Sequence, residues 1–595
     1  MIRTPLRPLA RILDARERGE NPDAIERENL RIRHEQMRDK SRVRAEGRLL
    51  VMGVMFFCAF TVIGARMGTL AATEPTEPRA QTSGNSIIAS RADIVDRRGR
   101  VLATNMSTHS LYAHPHQMVD PTRAADELAR IFPDLDHERL IKDFTGGKRK
   151  FLWVKKKISP EQMQAVHDIG EPGLLFGPRE MRLYPNGAIA AHIMGGTSFG
   201  REGVHAAEVI GIAGIEKFFD EELRDPAREG APLELSLDLT VQAAAEEVLD
   251  AGMKLMNAKA AASVLLDVHT GEVISLVSLP DFDPNDRPRP ALKGKPSDSP
   301  LFNRAVQGVY ELGSTFKIFA ATQAMDLGLV TPQTVIDTRP PFKVGGHKIG
   351  EFEGHNYGEL TVEQVIVKSS NRGTGKLALA IGPKRQQDFL RSLGLFDPTP
   401  LEIVEAQGGK PLIPERWTDL SAVTISYGHG ISTSPLHLAA GYATIANGGR
   451  LVRPTLIKQS GPQNGAQVVS PKSAAAARSM LRKVVTEGTA SFGEVPGYYV
   501  GGKTGTSEKL KERGGYYKDK NINTFASMFP AHDPKYVLVV TLDEPVETSG
   551  KKPRRTAGWT AVPVAAEMIG RIAPLLGLRP EFERLQLEQV MQTSH

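Results

Sequence analysis

A single cysteine, Cys58, stands in a chain of 595 residues. One thiol excludes an intrachain disulfide and any cysteine-based metal cluster. Tryptophan is almost as scarce: Trp153, Trp417 and Trp559 are scattered, which suits packing better than a sugar-binding platform. His355, His429 and His437 fall in separate segments without metal-ligand spacing, and the sequence calls for neither a metal nor an organic cofactor. A basic stripe on a folded region is also missing. The formal net charge is +6, but the first 48 residues hold 13 Lys+Arg against 9 Asp+Glu, which leaves 62 basic and 60 acidic residues beyond them. A bulk so near neutrality argues against a nucleic-acid partner. Composition is that of an ordinary globular protein, and the length calls for several domains.

Long apolar runs are absent with one exception, LLVMGVMFFCAFTVIGA at 49–65, which carries no charge. Seventeen residues is the lower limit for a membrane span. Arg48 and Arg66 flank the run and can snorkel, so we place a transmembrane helix over 49–70. The positive leader, 1–48, keeps the N-terminus cytoplasmic and sends the remainder across. A cleaved signal peptide would have a shorter charged leader. The stretch 71–87 is rich in Pro, Gly, Ser and Thr and reads as a linker.

Beyond the linker the apolar pattern changes twice. SIIASRADIVDRRGRVLATN alternates and breaks at Arg97-Arg98-Gly99, a hairpin-like turn opening a region of short elements over 88–232. From Leu233, LELSLDLTVQ reads as a strand running into a helix, and AASVLLDV-HTGE-VISLVSL reads as a hairpin. YYVGGKTGTSE, NTFASMFP and KYVLVVTLDEP are strand-like again, far downstream. Strands at both ends of 233–575 with helices between predict an α+β layer, one sheet joining the two ends of that region. Residues 576–595 read as a polar helical tail.

Three short patterns occur in order in this second region: Ser314-Thr315-Phe316-Lys317, Ser369-Ser370-Asn371 and Lys503-Thr504-Gly505-Thr506. Each alone is weak, since Ser549-Gly550-Lys551-Lys552 and Ser83-Gly84-Asn85 match the first two by chance in polar stretches. Context separates them. Gly313 permits a sharp turn, and Ser314 then falls in the first turn of a helix, where free N–H groups favour developing negative charge. Residues i and i+3 share a face, so Lys317 can reach Ser314. Phe316, Ile318 and Phe319 imply a partly desolvated ammonium, and desolvation frees a lysine to act as a base. Ser369 offers a proton relay, and Asn371 an amide for a peptide backbone. Gly501, Gly502 and Gly505 permit close approach of a ligand to a strand edge, where an extended peptide can add. Lys503 suits a terminal carboxylate, and the N–H groups of Ser314 and Thr506 are candidate oxyanion donors.

The ordered set is a known signature of penicillin-binding proteins and class A β-lactamases. NRAVQGVYELGSTFK, YGELTVEQVIVKSSNRG, SYGHGISTSPLHLAAGYATIANGG and VGGKTGTSEK resemble class B penicillin-binding proteins. RADIVDRRGRVLATN, RLYPNGAIAAHIMG and GIAGIEKFFDEEL resemble their N-terminal pedestal, or dimerisation, domain. The resemblance spans about 88–570. Leu312, Ala92 and Ser426 depart from it, standing where the family usually has proline, glycine and glycine. The Ser-Ser-Asn form, the short pedestal and the single anchor resemble the cell-division, FtsI-like branch rather than the elongation branch.

The resemblance implies a penicillin-binding transpeptidase fold and a serine D,D-transpeptidase of the bacterial inner membrane, its catalytic domain periplasmic. Ser314, Lys317 and Ser369 would be catalytic, and Asn371, Lys503, Thr504, Gly505 and Thr506 would hold substrate. Its partners would be peptidoglycan stem peptides ending in D-Ala-D-Ala, β-lactams, a separate membrane glycosyltransferase, divisome proteins, and the bilayer through 49–70. A β-lactamase would need an E-x-x-L-N stretch, which is not found. A D,D-carboxypeptidase would use the same residues with water as acceptor. A β-lactam sensor or divisome scaffold is the non-enzymatic alternative.

Overall fold

The computed structural model describes residues 13–72, 91–147, 149–202, 207–290, 292–398, 400–511 and 514–582. The chain divides into two units, Met1–Ile87 and Ile88–His595.

The first unit is built on one helix, α1 (Pro22–Ala72), of 51 residues. At 1.5 Å per residue it is about 76 Å long. Residues 22–48 of the leader are thus helical. The physical reason is composition: 23–46 contains no glycine or further proline and is rich in Glu and Arg, both good helix formers. Glu28–Arg31 (2.8 Å) and Arg42–Glu46 (2.7 Å) add helix-surface ion pairs. Glu46–Ala65 has a mean hydropathy of 2.1 and no buried residue, so by length and composition it can cross a membrane. The linker lies outside the described residues from 73 onward, and the C-terminal tail from 583.

The second unit opens with a five-stranded sheet. β1 (Ile94–Val95) turns through Gly99, at φ +79°, into β2 (Val101–Ala113). β2 is flanked by β3 (Leu152–Ile158) and β4 (Leu174–Leu183), both antiparallel to it. Three helices, Pro121–Ile131, His137–Thr145 and Pro160–Asp168, are each N-capped by a side chain, from Asp120, Asp136 and Ser159. They close a small core around Leu111, Leu128, Phe132 and Phe144. A hairpin of β5 (Gly196–Glu202) and β6 (Ala207–Ala213) comes next. β7 (Leu233–Glu234) then returns to lie parallel to β1. The longer strand expected here ends at two residues because Asp238 caps the next helix, accepting from Thr240 N and Val241 N.

Polar ties bind this sheet to the C-terminal region of the unit. Arg100 bridges Asp96 (2.5 Å) and Asp238 (2.8 Å), and Arg97 meets Glu272. Tyr184 and Asn285 exchange backbone-to-amide hydrogen bonds, and Ala190 N donates to Glu246. Gly214 N donates to Glu405.

The second sheet carries the larger core. Its order is β14 (Gly501–Leu510), β15 (Tyr516–Phe529), β16 (Tyr536–Asp543), β8 (Ala260–Asp267), β9 (Val273–Leu279), antiparallel throughout. The two ends of the region therefore meet at β16 and β8, as the sequence predicts. Two short ladders, β10 (Val335–Asp337) with β13 (Glu359–Thr361) and β11 (Lys343–Val344) with β12 (His347–Lys348), lie between. Helices α2 (Leu239–Leu255) and α7 (Ala561–Ile572) pack on the sheet and on each other, and α5 (Pro435–Ala446) packs on β8, β15 and β16. Every residue from Ala260 to Leu266 and from Val537 to Leu542 is buried, so both faces are covered. β14 is the edge strand. Against it and beside it stand α3 (Lys317–Asp326), α4 (Asn371–Ile381) and α6 (Pro471–Thr486).

Candidate active site

Ser314 sits in a 3-10 turn, Gly313–Phe316, that leads into α3, with Lys317 as the first residue of that helix. The turn is clamped by backbone. Gly313 is left-handed at φ +58°, and a Cβ there would meet Thr506 O at 3.1 Å and Thr506 N at 3.4 Å. A Cβ on Gly505 would strike Leu312 O and come within 2.9 Å of Thr315 Cγ2. On the other side Gly313 N donates to Gly428 O at 3.3 Å. Thr315 Oγ1 donates to Leu312 O (2.9 Å), and Tyr442 OH, from α5, donates to Thr315 O (2.7 Å). This packing sets the backbone of Gly313, directly before Ser314, against that of Thr506.

Two predictions arise from the clamp. Gly505→Ala is expected to push β14 away from the serine turn, lowering the penicillin acylation rate about 100-fold, since small displacements of reacting groups are that costly. Stopped-flow acylation and a structure of the variant check it. Tyr442→Phe leaves a buried carbonyl unpaired and is expected to destabilise the chain by about 1–3 kcal/mol, read as a lowered unfolding midpoint.

The first motif meets the second through its lysine. Lys317 Nζ donates to Ser369 O (2.5 Å) and to Ser369 Oγ (3.0 Å). Among the described residues no hydrogen bond joins it to Ser314; the amine is turned to the second motif. Lys503, from the third motif, also donates to Ser369 Oγ (3.0 Å) and to Thr504 O (3.1 Å). Ser369 Oγ thus lies between two amines that are 1% and 0% exposed. Ser369 is held at φ +59°, a left-handed conformation uncommon for a residue with a side chain and frequent at functional sites. It lies just after the helix Val362–Val367 and precedes α4, whose N-cap Ser370 accepts from Gly373 N.

Burial pushes Lys317 down to about 7, and the charge of Glu351 partly opposes that shift. Lys503 is driven well below the usual lysine range, first by burial and then by the charge of Lys317. Two amines sharing one hydroxyl in a dry site disfavour double protonation, so one of them is available as a base.

The remaining motif residues make contacts of their own. Asn371 opens α4, and its Nδ2 donates to Gly350 O (3.1 Å). Thr504 Oγ1 shares a hydrogen bond with Thr489 Oγ1 (2.7 Å), and Thr506 Oγ1 accepts from Ala557 N (2.9 Å). All eight motif residues named from the sequence therefore gather at the junction of α3, α4 and β14. The decoys do not join them: Ser549 lies in a polar turn, its N donating to Glu547, and Ser83-Gly84-Asn85 is outside the described residues.

Sequence reading missed three residues that hold this junction. Tyr442 is one. Glu311 accepts from Gly430 N (2.8 Å) and Tyr516 OH (3.0 Å), tying the serine turn to a neighbouring loop and to β15. Glu351 grips the second motif. Glu311 abuts the Ser314 turn, so its position alone was a usable signal; Tyr442 and Glu351 had none.

Two family models match. The penicillin binding protein transpeptidase domain covers residues 261–562, and the penicillin-binding protein dimerisation domain covers 86–227. A probable peptidoglycan D,D-transpeptidase FtsI of Caulobacter vibrioides is 33% identical over 93% of this chain and 93% of its own. The peptidoglycan D,D-transpeptidase FtsI of Escherichia coli is 29% identical over 83% of this chain and 85% of its own. Among solved structures, penicillin binding protein 3 of Mycobacterium tuberculosis, complexed with aztreonam, superposes with a TM-score of 0.62 at 26% identity. That match covers 83% of this chain and 98% of the other. With the fold, the three motifs and both domain models in agreement, the chain belongs to the class B penicillin-binding proteins, on their FtsI-like branch.

Proposed function

We propose that the chain is a serine D,D-transpeptidase that cross-links peptidoglycan stem peptides at the division septum and is acylated by β-lactams. The observation that carries this reading is the placement of Ser369 Oγ within 3.0 Å of both Lys503 and Lys317, the residue that directly follows the Ser314 turn. Its relatives' names and the β-lactam complexes of its structural neighbours point the same way.

In the first half-reaction Ser314 Oγ attacks the carbonyl carbon of the penultimate D-alanine as its proton passes to neutral Lys317. The oxyanion is held by the N–H groups of Ser314 and Thr506. The C–N bond then breaks, and terminal D-alanine leaves with a proton handed from Lys317 through Ser369 Oγ. In the second half-reaction an amino group of a neighbouring stem peptide attacks the acyl-enzyme ester, loses its proton to the same relay, and releases Ser314. Lys503, Thr504 and Thr506 hold the donor's carboxylate; Asn371 orients its backbone, exchanging Gly350 O for the substrate; the edge of β14, with Gly505 at its closest approach, receives the extended peptide. This is the Ser–Lys form of nucleophile activation, with no metal or organic cofactor assigned a role.

The apolar part of α1 anchors the chain in the inner membrane, its N-terminus cytoplasmic and residues from 88 onward periplasmic. Residues 88–232 form the pedestal and 233–575 the transpeptidase domain. A separate glycosyltransferase supplies the glycan strands, and divisome proteins recruit the complex. Mass spectrometry of the intact protein with a labelled penicillin tests the reading: one adduct on Ser314 is expected, and an unmodified Ser314 overturns it. Product analysis of a donor–acceptor mixture showing only shortened stem peptides and no dimers replaces transpeptidation with carboxypeptidation.

A further inference from the structure

The second motif is held from outside by a segment that belongs to none of the three. Ile349-Gly350-Glu351 runs past the start of α4 and makes five hydrogen bonds to it. Glu351 Oε1 accepts from Ser370 Oγ at 2.5 Å and from Arg372 N at 3.1 Å, and Oε2 accepts from Asn371 N at 2.7 Å. Gly350 O accepts from Asn371 Nδ2 (3.1 Å) and Ile349 O from Arg372 Nε (3.3 Å). Glu351 is 7% exposed. Its carboxylate thus satisfies two of the free N–H groups at a helix N-terminus, where negative charge is favoured, and adds the hydroxyl of the N-cap residue.

The position matters because Ser369 directly precedes these donors. Ser369 is left-handed, and a strained residue persists only where its surroundings over-determine it. The Glu351 grip begins at the very next residue. Through it the carboxylate fixes where Ser369 O and Oγ stand relative to Lys317 and Lys503.

The charge matters as well. The groups facing Lys317 are the Ser369 hydroxyl and carbonyl and, through that hydroxyl, the Lys503 amine. Around Glu351 stand Ser370, Asn371 and Arg372, with the Tyr357 and Tyr427 phenols within its field. The Arg372 guanidinium is engaged with Ile349 O and Thr338 O (2.9 Å). Lys368 lies over the Tyr357 ring at 5.9 Å, and His355 stacks on the same ring at 5.5 Å between centroids. Glu351 is the anion whose field reaches Lys317.

We propose that Glu351 is a positioning residue for acyl transfer: its carboxylate locks the second motif so that Ser369 sits between the two lysines, and its negative charge acts on Lys317 across that motif. The proposal rests on the acyl-transfer reading above, with Lys317 as the base.

The test is the pH dependence of the second-order acylation rate with a chromogenic penicillin or cephalosporin, measured on the full-length protein in detergent for wild type, Glu351→Gln, Glu351→Asp and Ser370→Ala. Glu351→Gln keeps the size of the side chain and removes its charge. It is expected to lower the plateau rate about tenfold or more and to move the acid limb of the profile to lower pH by half a unit or more. The sign comes from the charge: without the anion, protonated Lys317 is less stable, so the neutral base appears at lower pH. Ser370→Ala removes one hydrogen bond and leaves the anion, so the rate should fall while the limb stays in place. A Glu351→Gln profile equal to wild type overturns the proposal, and so does a slower rate with an unmoved limb, which would leave Glu351 a purely structural tie. If Glu351→Gln does not fold, judged by its circular dichroism and thermal midpoint, Glu351→Asp decides. A wild-type limb with a reduced plateau supports the proposal, and a displaced limb overturns it. Failure of the underlying reading looks different, because wild type itself would then form no adduct on Ser314.

Discussion

Ser314→Ala forms no covalent adduct with penicillin, and its acylation rate falls by at least about 10⁴-fold, to the level of non-covalent binding. No other group at the junction can replace the hydroxyl. Ser369 Oγ is the nearest alternative nucleophile, but it is fixed between Lys317 and Lys503 at 3.0 Å from each. Ser314 is half-buried and, among the described residues, its side chain makes no hydrogen bond, so the substitution should shift stability by no more than about 0.5 kcal/mol. Intact-mass spectra with excess label and a thermal melt check both halves. The same variant separates an enzyme from a scaffold in cells. If Ser314→Ala, expressed at the wild-type level, sustains division in place of the native chain, the catalytic role proposed above is not what the cell requires of it.

Where the chemistry arises from local sequence, the sequence is a sufficient guide. Gly313 ahead of Ser314, the β-branched runs on either side of Thr270-Gly271, and the glycines of β14 each carry their geometry in a few neighbouring residues. The joining of β8 to β16 is also legible, because apolar strands at both ends of a region need a common sheet. What escapes is set by tertiary approach. The helix-face rule sends Lys317 toward Ser314, yet Ser314 lies in a tighter 3-10 turn and the long lysine side chain finds Ser369, 52 residues away. Glu351 and Tyr442 are an ordinary acidic residue and an ordinary tyrosine until the fold brings them to Ser370 and Thr315. The polar ties through Glu246, Asn285 and Glu405 likewise leave no local trace, since each residue is unremarkable where it stands in sequence. In the leader, helix formers and i,i+3 and i,i+4 ion pairs give a regular helix that a count of charges does not reveal.

Lys317→Met is the sharper probe of mechanism. Methionine is close in length, unbranched and at ease in the apolar surroundings of Phe316, Ile318 and Phe319, so the cavity stays filled. What disappears is the base, one of the two amines that share Ser369 Oγ. Acylation is expected to fall by about 10² to 10⁴-fold, the usual worth of a positioned general base. In wild type, with Lys317 brought down to about 7, the acylation rate should climb as pH rises through about 7, because the neutral amine is the active form. In Lys317→Met that limb should vanish. Stability gives an independent reading. The folded chain releases the Lys317 proton near pH 7, whereas the unfolded chain keeps it until about 10.4. Between those values the unfolded state binds more protons, so the wild type gains stability as pH rises from 7 toward 10, and below 7 the burial penalty is present in full. Methionine carries no such penalty, so the variant should be the more stable of the two near pH 6, with the difference shrinking in alkaline buffer. Urea midpoints at pH 6 and pH 9 measure it. A variant that loses acylation but retains the wild-type pH dependence of stability would show that another buried group, with Lys503 the first to examine, carries the titration assigned here to Lys317.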